Sequence, residues 1–340
     1  MTVRVGINGF GRVGRCAFRS AYESGAAIEW AAINDVADVA TLAHLLRHDT
    51  VYGPFPGDVM CDGSALMVDG RRIPVFASQA PSEIPWGEVG AEVVLECTGI
   101  FRDRDDAVGH IHAGARKVIL SSPGKNVDAT LVLGVNFDTY DPIAHDIVSN
   151  ASCTTNCLAP VAKVLHEGLG IRHGVMTTIH AYTGDQRLVD LPHKDLRRAR
   201  AAASNIIPTS TGAAKAIGLV IPELAGRLQG FAARVPVLTG SLVELTVVVE
   251  RPTTVDEVNA LFAEAALTDD LAGILQYSDE PLVSSDVIKS RFSAVFDSGL
   301  TTVTGETQVT AIAWYDNEWG YSTRLAELAT QVLAPVALAV

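Results

Sequence analysis

The hydrophobic pattern near the start of the chain predicts a strand, a helix and a second strand. Short, continuous apolar runs at 3–8 and 26–33 are typical of buried strands, and the segment between them continues as a helix at 16–22. Further apolar runs at 91–99 and 117–123 end in small residues, as strands that lead into tight turns do. Strands separated by helices favour a parallel, doubly wound sheet.

The pattern changes after residue 152. Apolar residues recur with the period of a helix, and small and hydroxylic residues precede them, so a helix is predicted to begin near residue 153. Longer alternating segments follow, and their period indicates half-exposed antiparallel strands. These segments lie at 231–237, 241–249 and 308–315, and a further alternating run at 174–183 also indicates a strand. The second half is therefore predicted to be α+β, with a mainly antiparallel sheet.

Composition narrows the class of protein. The 340 residues are 48% hydrophobic, which is enough for the cores of two domains. The formal net charge of −13 argues against general nucleic-acid or membrane-surface binding, because both need an extended basic patch. The N-terminus enters a strand without the organisation of a signal peptide, so a cytoplasmic location is expected. Five cysteines without a framework spacing predict reduced thiols.

A glycine-rich turn joins the first predicted strand to the first predicted helix. Residues 9–14 read Gly-Phe-Gly-Arg-Val-Gly, the G-x-G-x-x-G pattern in the strand-to-helix context that dinucleotide binding requires. Asp35 follows at the end of the second strand, where a carboxylate accepts hydrogen bonds from ribose hydroxyls and repels a 2′-phosphate. We expect NAD rather than NADP; the alternative for Asp35 is a solvated turn aspartate.

These features divide the chain into two predicted domains. Residues 1–152 and 318–340 are expected to form an NAD-binding Rossmann-type domain, with the helix at 324–333 packed back on the nucleotide half. Residues 153–317 are expected to form the α+β catalytic domain. Strand ends line the ligand crevice of a doubly wound sheet, so Thr98, Gly99 and Ser121 are candidate cofactor contacts, with ordinary turn chemistry as the alternative.

Cys153 is the candidate nucleophile. It is predicted in or beside the first turn of a helix, where unpaired N–H groups favour a thiolate, and we expect a depressed pKa for this thiol. Cys157, four residues further on, is predicted to be a packing residue. A zinc site at this pair is disfavoured because no second Cys or His pair stands at ligand spacing, and a disulfide is disfavoured within one helix.

His180 lies on the strand predicted after that helix, so the return of the chain can bring its imidazole beside the sulfur. The polar segment 184–200 then carries four arginines and a lysine in an acidic protein, which indicates an anion-binding loop; a solvated, salt-bridged surface is the alternative. Residues 208–215 are predicted to open another helix with hydroxyls and a glycine, which favours a second anion subsite.

Four segments carry a close resemblance to the glyceraldehyde-3-phosphate dehydrogenase family. They are Asn-Gly-Phe-Gly-Arg-Val-Gly-Arg at 8–15, Ala-Ser-Cys-Thr-Thr-Asn-Cys-Leu-Ala-Pro at 151–160, Pro-His-Lys-Asp-Leu-Arg-Arg-Ala-Arg at 192–200, and Trp-Tyr-Asp-Asn-Glu-Trp-Gly-Tyr at 314–321. The likeness runs from residue 3 to the final helix. It implies NAD-dependent oxidation of glyceraldehyde 3-phosphate to 1,3-bisphosphoglycerate, in glycolysis or gluconeogenesis, through a hemithioacetal and a thioester on Cys153, with His180 as acid and base.

The resemblance also implies binding roles and an assembly. Cofactor contacts are expected at Asn8, Gly9, Gly11, Arg12, Val13, Asp35, Thr98, Ser121 and Asn317. The substrate phosphate is expected to meet Thr183, Asp185 and Arg234, and the attacking inorganic phosphate Ser152, Thr211, Gly212 and Arg198, with Thr154 also in the phosphate-binding set. A homotetramer is expected, in which the loop containing Pro192 reaches a neighbouring subunit's cofactor site. No metal, nucleic acid or membrane is expected as a ligand.

Three segments depart from the family pattern: Gly184, Val237-Leu238-Thr239-Gly240 and Lys289-Ser290-Arg291-Phe292. They motivate the hypothesis of a specialised isozyme, for instance one that resists a thiol-directed inhibitor. Two other functions stay open at this point. One is a dehydrogenase for another aldehyde, such as erythrose 4-phosphate, and the other is a noncatalytic NAD-binding regulator.

Overall fold

The computed structural model describes residues 2–333, and the chain divides into two compact units. The first unit comprises Met1–Leu131, Asp138–Ala151 and Ser322–Val340, and the second comprises Val132–Phe137 and Ser152–Tyr321. The domain boundaries that the sequence suggests, after residues 152 and 317, stay a prediction. Among residues 2–333, no helix is long and apolar enough to cross a membrane.

The first unit is built on a nine-stranded sheet. In chain order the strands are β1 (Val3–Asn8), β2 (Ile28–Asn34), β3 (Val59–Cys61), β4 (Ala65–Val68), β5 (Arg71–Phe76), β6 (Val93–Glu96), β7 (Lys117–Leu120), β8 (Ala129–Thr130) and β9 (Ile147–Ser149). Their spatial order is β3-β4-β5-β2-β1-β6-β7-β9-β8. All pairs from β5 to β8 are parallel, whereas β3, β4 and β5 pair antiparallel.

Helices α1 (Arg12–Ser24), α2 (Val39–Arg47) and α3 (Arg104–His112) belong to this unit. The central strands are buried along their lengths, as parallel strands covered on both faces are. The predicted doubly wound sheet is confirmed. The chain reverses between β1 and α1 at Gly9, whose φ is +92°. A Cβ there would lie 2.7 Å from the Thr98 nitrogen, and one on Gly14 would lie 2.2 Å from the Gly9 oxygen. Only glycine fits at either position.

The second unit contains an eight-stranded sheet. Its strands are β10 (Ile171–Ala181), β11 (Ile207–Ser210), β12 (Leu228–Val235), β13 (Ser241–Val249), β14 (Leu275–Ser278), β15 (Ala294–Asp297), β16 (Thr302–Thr304) and β17 (Gln308–Tyr315). Their spatial order is β11-β12-β10-β13-β17-β15-β14, with β16 paired to β17. The sheet is mainly antiparallel, as predicted.

Two details of the sequence prediction are wrong. Strand β12 was expected to be antiparallel, but it lies parallel to its neighbour β10, although it is antiparallel to β11. Alternation shows that a segment is a half-buried strand, but it does not encode the direction of that strand's neighbour. The helix predicted to open at residue 208 begins at Ala213, because residues 207–210 pair with β12 as strand β11.

Helices α4 (Cys153–Leu169), α5 (Ala213–Val220) and α6 (Val255–Ala265) lie within the second unit, and α7 (Trp319–Gln331) begins there. The apolar side of α4 is fully buried at Leu158, Val161, Ala162 and Leu165. Cys157 shares that burial, and its Sγ lies 3.8 Å from the Ala313 carbonyl oxygen. The prediction that Cys157 is a packing residue agrees with this position. Within the first unit, the later part of α7 is tied to α1 by a 2.7 Å hydrogen bond between Thr323 and Ser20.

Candidate active site

The structure brings the two predicted catalytic side chains together. Cys153 is the first residue of α4, and His180 lies next to the last residue of β10. The Sγ of Cys153 is 3.3 Å from Nε2 of His180. This is hydrogen-bonding range for a sulfur, so the imidazole can exchange a proton with the thiol without any movement of the backbone.

The start of α4 is fixed by a side-chain cap. Ser152 has extended backbone angles and its Oγ accepts a hydrogen bond of 3.0 Å from the Thr155 N–H. Serine is a favoured N-cap residue because its hydroxyl satisfies one of the unpaired N–H groups of the first turn. The cap therefore determines which residue stands at the first helical position, and that residue is Cys153.

A tyrosine links the helix of the cysteine to the strand of the histidine. The hydroxyl of Tyr315 lies 3.0 Å from Oγ1 of Thr154 and 2.9 Å from Oγ1 of Thr178. Thr178 donates to the Leu242 carbonyl at 3.0 Å, so it accepts from Tyr315, which in turn accepts from Thr154. Thr178 and His180 share one face of β10. This role of Tyr315 could not be predicted from local sequence patterns, because its partners are distant along the chain.

The hydrogen bond to Tyr315 determines what the hydroxyl of Thr154 can still bind. This residue is 5% exposed and its hydroxyl is already bonded inside the unit. The expected contact of Thr154 with phosphate stays a prediction. Its hydroxyl would not donate to the phosphate, because that hydrogen is already donated to Tyr315. Tyr315 also packs its ring against His180, with the ring centroids 5.9 Å apart in an edge-on arrangement.

The expected depression of the Cys153 pKa is wrong for this structure. Burial raises the pKa of the Cys153 thiol above its usual value, while the Arg234 guanidinium and hydrogen bonds at the helix start act in the opposite direction. The sequence indicated the helix N-terminus correctly, but it did not show how thoroughly the sulfur is removed from water. The resting sulfur is therefore a thiol, and the neighbouring base must take its proton during the reaction.

His180 is positioned to take that proton. It is 2% exposed, and burial together with Arg234 lowers its pKa to about 3, against a weaker opposing effect of the Ala181 carbonyl. The ring is therefore neutral at physiological pH. Its Nδ1 lies 2.7 Å from the Ala181 oxygen. When Nδ1–H donates to that carbonyl, Nε2 presents a lone pair to the thiol.

Arg234 approaches the other side of the same ring. It is paired in register with His180 across β12 and β10. Its Nη1 lies 2.9 Å from Nδ1 of His180, 3.0 Å from the Ala181 oxygen and 3.3 Å from Oγ1 of Thr183. The buried Nε of Arg234 has no hydrogen-bond partner. A guanidinium with an unused donor beside the catalytic pair suits an anionic substrate group.

The two expected phosphate subsites are connected. Thr183 donates to the Asp185 carboxylate. The other oxygen of that carboxylate accepts from Nη1 of Arg198 at 2.6 Å. Arg198 Nε also donates to Thr209 at 2.8 Å. Asp185, which is expected near the substrate phosphate together with Thr183, therefore contacts Arg198, which is expected to bind the attacking phosphate.

At the start of α5, Oγ1 of Thr211 accepts from the Ala213 N–H at 3.2 Å. Gly212 is exposed and contributes no side-chain cap.

The basic loop at 184–200 has features of both an anion-binding loop and a solvated, salt-bridged surface. Arg198 is largely shielded from solvent, whereas Arg200 forms an exposed ion pair with Asp190.

In the first unit, the predicted cofactor residues lie along the carboxyl ends of the parallel strands. Gly11 is the N-cap of α1 and offers no side-chain cap, and a Cβ on it would meet nothing within 4 Å. The Asp35 carboxylate accepts from the Phe10 N–H at 2.7 Å and from the Ala37 N–H at 2.9 Å. An uncapped helix start beside open space fits a pyrophosphate, and a carboxylate held by two backbone donors fits a ribose diol. These residues therefore fit NAD.

The remaining predicted cofactor residues of this unit are placed as follows. Arg12 pairs with Asp49, Val13 is half-buried in the first turn of α1, and the Ser121 N–H donates to the Glu96 carbonyl at 3.0 Å. Asn8 and Thr98 both contact the Glu96 side chain.

Asn317 belongs to the second unit and is held by hydroxyls that the sequence did not indicate. Its Oδ1 accepts from Ser241 at 2.8 Å and from Thr239 at 3.3 Å. Ser241 in turn accepts from the Ala181 N–H at 3.1 Å. Ser241 therefore connects Asn317 to the residue that follows His180. With its oxygen engaged, the amide of Asn317 has a fixed orientation.

Two of the three segments that depart from the family pattern contact this same region. Besides its contact with Asn317, Thr239 donates to Asp316 at 3.0 Å. The N–H of Lys289, which has a φ of 68°, donates to the same carboxylate at 2.7 Å. Residues 2–333 contain no group of three or more His, Cys, Asp or Glu side chains that could hold a metal ion.

Comparison with known proteins matches both halves of the chain to one family. Residues 152–317 match the model described as glyceraldehyde 3-phosphate dehydrogenase, C-terminal domain, and residues 3–104 match the model described as its NAD binding domain. The chain is 56% identical over 328 residues to the glyceraldehyde-3-phosphate dehydrogenase of Streptomyces coelicolor, which covers 96% of this chain and 98% of the relative. The enzyme of the same name from Geobacillus stearothermophilus is 54% identical over 332 residues, covering 98% of both chains.

Proposed function

The chain belongs to the glyceraldehyde-3-phosphate dehydrogenase family, and from that premise we propose that it catalyses the NAD-dependent oxidative phosphorylation of glyceraldehyde 3-phosphate to 1,3-bisphosphoglycerate. This is a step of glycolysis and gluconeogenesis. The observation that carries the proposal is the 3.3 Å approach of the Cys153 sulfur to Nε2 of His180, beside an arginine with a free donor.

In the first half-reaction, the sulfur of Cys153 attacks the aldehyde carbon. The S–H proton passes to Nε2 of His180, the C–S bond forms, and the carbonyl electron pair moves to the oxygen, which takes up a proton from the imidazolium. The product is a hemithioacetal on Cys153. His180 is neutral because its pKa is about 3, and in the tautomer with the hydrogen on Nδ1 its Nε2 can accept the thiol proton.

In the second half-reaction, His180 removes the hydroxyl proton of the hemithioacetal while the C–H electron pair leaves as hydride. NAD⁺, when bound, supplies the hydride acceptor. The carbon becomes a thioester on Cys153. Inorganic phosphate then attacks the thioester carbonyl, the C–S bond breaks, and sulfur leaves with the bonding pair. A thiolate suits this sequence because it is both a good nucleophile and a good leaving group.

Anion binding is assigned to the arginines around the pair. Arg234 and Thr183 would hold the substrate phosphate, and Arg198, with Thr211 and Gly212 at the start of α5, would hold the attacking phosphate. Both arginines supply charge-assisted hydrogen bonds. Their link through Asp185 supports the proposal, because the carboxylate limits the positive charge that the two guanidinium groups would otherwise present to each other.

We also propose a homotetramer located in the cytoplasm. The loop expected to reach a neighbouring subunit exposes large apolar side chains, with Leu188 77% and Leu196 82% exposed. Exposed apolar groups clustered on one loop favour burial in an interface. Sedimentation of the purified protein tests this; a monomer at micromolar concentration would contradict it.

The test of the proposed reaction is the reduction of NAD⁺ by the purified protein with glyceraldehyde 3-phosphate, with and without inorganic phosphate. Sustained turnover that requires phosphate is the expected result. The same assay with erythrose 4-phosphate separates the alternative aldehyde, which should be used far less efficiently. Absence of turnover with either aldehyde, together with normal NAD⁺ binding, would favour a noncatalytic NAD-binding protein.

The isozyme hypothesis has its own support. Thr239 and Lys289, from two of the departing segments, both bond to Asp316, next to the expected cofactor contact Asn317. We infer that these segments alter access of bulky electrophiles to the site. Inactivation by a thiol-directed inhibitor should then be slower in this protein than in the Geobacillus stearothermophilus relative, and equal rates would dismiss the hypothesis.

A further inference from the structure

A buried carboxylate lies at the cofactor edge of the first unit. Glu96 is the last residue of β6 and is 2% exposed. Its Oε1 accepts from the N–H of Thr98 at 2.8 Å and from the hydroxyl of the same residue. Its Oε2 accepts from Nδ2 of Asn8 at 2.5 Å and from Nε2 of His110 at 3.1 Å. A carboxylate offers about four lone-pair positions, so this one is fully used.

The histidine in this arrangement is itself held in one tautomer. His110 is fully buried, and its Nδ1 lies 2.9 Å from Nε1 of Trp86. An indole N–H can only donate, so Nδ1 accepts and Nε2 carries the hydrogen that faces Glu96. Trp86 is also fully buried, within a core of small and aliphatic side chains. The donor on this side of the carboxylate is therefore fixed by the core.

On its other side, the arrangement continues across the ends of two more strands. Oδ1 of Asn8, at the end of β1, accepts from Nδ2 of Asn34 at 2.8 Å. Asn34, at the end of β2, also exchanges hydrogen bonds of 2.9 Å with both backbone groups of Ser78. The next residue is Asp35, the expected ribose-binding carboxylate. We name Trp86, His110, Glu96, Asn8 and Asn34 the Glu96 network.

We propose that Glu96 is a positioning residue of the NAD site, an inference that rests on the proposed function. It fixes Asn8 and Thr98 directly and supports Asp35 through Asn34. Since all four acceptor positions are occupied by protein, Glu96 acts through its neighbours and does not touch the cofactor. A buried carboxylate is costly unless every donor around it is satisfied. Without it, donors from three segments would converge with no acceptor.

The substitution Glu96→Gln tests this. Glutamine keeps the shape but turns an acceptor into a donor that faces donors, so Asn8 and Thr98 should shift. The Kd for NAD⁺, measured by calorimetry on the cofactor-free protein, should rise roughly tenfold or more, as expected for loss of charge-assisted hydrogen bonds. The KM for NAD⁺ should rise by more than kcat falls, and the rate of Cys153 alkylation without cofactor should stay at the parental value.

Asp128→Asn is the matched control. Asp128 belongs to the same unit, and its carboxylate accepts from the N–H groups of Asp146 and Ile147 at 2.9 and 2.8 Å and from Arg104 at 2.9 Å. None of these partners is an expected cofactor contact. The control should lower the thermal midpoint and leave the Kd for NAD⁺ unchanged. An equal rise in Kd in the control would reduce Glu96 to a general contributor to folding and overturn the proposal.

A second variant, Trp86→Phe, removes the N–H that orients His110 together with part of the buried ring volume, and it tests the proposal if Glu96→Gln does not fold. It should raise the Kd for NAD⁺ by about two- to fivefold, the effect of one neutral hydrogen bond. If the parent binds NAD⁺ and turns over while the folded variants share its Kd, the Glu96 inference alone fails. If the parent does not bind NAD⁺, the proposed function fails, and the Glu96 inference fails with it.

Discussion

Glu96 and His180 are buried side chains near the ends of strands in different units, and they differ in how completely their hydrogen-bond partners fix their protons. Glu96 has a single fixed donor at each lone pair, and the tautomer of His110 follows from Trp86. His180 is equally buried, but its Nδ1 lies within hydrogen-bonding distance of both a carbonyl acceptor and a guanidinium donor. One protonation state cannot satisfy both.

This difference in hydrogen bonding matches a difference in role between the Glu96 network, which is proposed to support cofactor binding, and the Cys153–His180 pair, which is proposed to be catalytic. The Glu96 network has one proton arrangement and holds its neighbours still, which suits recognition of a cofactor. His180 can carry its hydrogen on Nδ1, facing the Ala181 carbonyl, or on Nε2, facing the sulfur. A group that accepts and returns a proton has to present a free nitrogen lone pair to the proton donor and later release the proton.

Removal of the nucleophile should have the largest effect. Cys153→Ser should lower kcat/KM for NAD⁺ reduction by roughly 10⁴-fold or more, because a serine hydroxyl beside a weak base is a much poorer nucleophile than sulfur. Cys157→Ala is the control: it removes a buried packing sulfur, so it should lower the thermal midpoint and keep the rate. A Cys153→Ser enzyme with a rate near the parent's would remove the thiol from the mechanism.

Removal of the mobile proton should have the next largest effect. His180→Asn keeps the nucleophile but deletes the acid and base, so kcat should fall by roughly 10²- to 10⁴-fold. Stopped-flow measurement of the first turnover locates the loss in the chemical steps. A rate within a few-fold of the parent's would show that the 3.3 Å contact is structural only.

Arg234→Leu tests the donor that competes for His180. Loss of charge-assisted bonds to the substrate phosphate should raise KM for the aldehyde by roughly 10- to 100-fold. Without the nearby cation, the pKa of His180 should rise and that of Cys153 should rise further. The control, Arg200→Leu, removes a guanidinium that pairs only with exposed Asp190 in the described structure and should leave KM unchanged. Equal KM values for the two variants would exclude the assigned role.

The pH dependence of thiol alkylation should show the smallest effect, and it reports the resting protonation state of Cys153 and His180. Burial raises the pKa of Cys153, and burial with Arg234 lowers that of His180 to about 3, so the resting pair is neutral thiol and neutral imidazole. The alkylation rate of cofactor-free enzyme by iodoacetamide should therefore keep rising with pH through about pH 9. A plateau between about pH 6 and pH 8 would indicate a preformed thiolate and imidazolium and contradict this assignment.

Local patterns in the sequence were sufficient to predict a large part of this structure. The strand-turn-helix around Gly9, the position of Asp35 after β2, and the start of α4 at Cys153 all depend on neighbouring residues. The contact between Cys153 and His180 followed from one helix and one return strand. What escaped prediction depends on residues far apart in the chain. Examples are the parallel pairing of β12 and the link from Tyr315 to Thr154.

The pKa of Cys153 shows the same limit in energetic terms. The helix N-terminus, which lowers a thiol pKa, can be predicted from a few adjacent residues. Burial, which raises it, depends on how the whole second unit packs around the sulfur. The role of Glu96 was not predicted for a similar reason, because in the sequence it is only one polar residue near the end of an apolar run. Its function becomes visible only with Asn8 and His110 beside it.

In the proposed reaction, Cys153 carries the acyl group between oxidation and phosphorolysis. The most direct test mixes the enzyme with NAD⁺ and glyceraldehyde 3-phosphate in the absence of inorganic phosphate, followed by rapid acid quench and mass spectrometry of the peptide that contains Cys153. We expect one reduced cofactor per active site and a phosphoglyceryl thioester on Cys153 that disappears when phosphate is added. An unmodified Cys153 during sustained, phosphate-independent NAD⁺ reduction would show that Cys153 does not carry the acyl group.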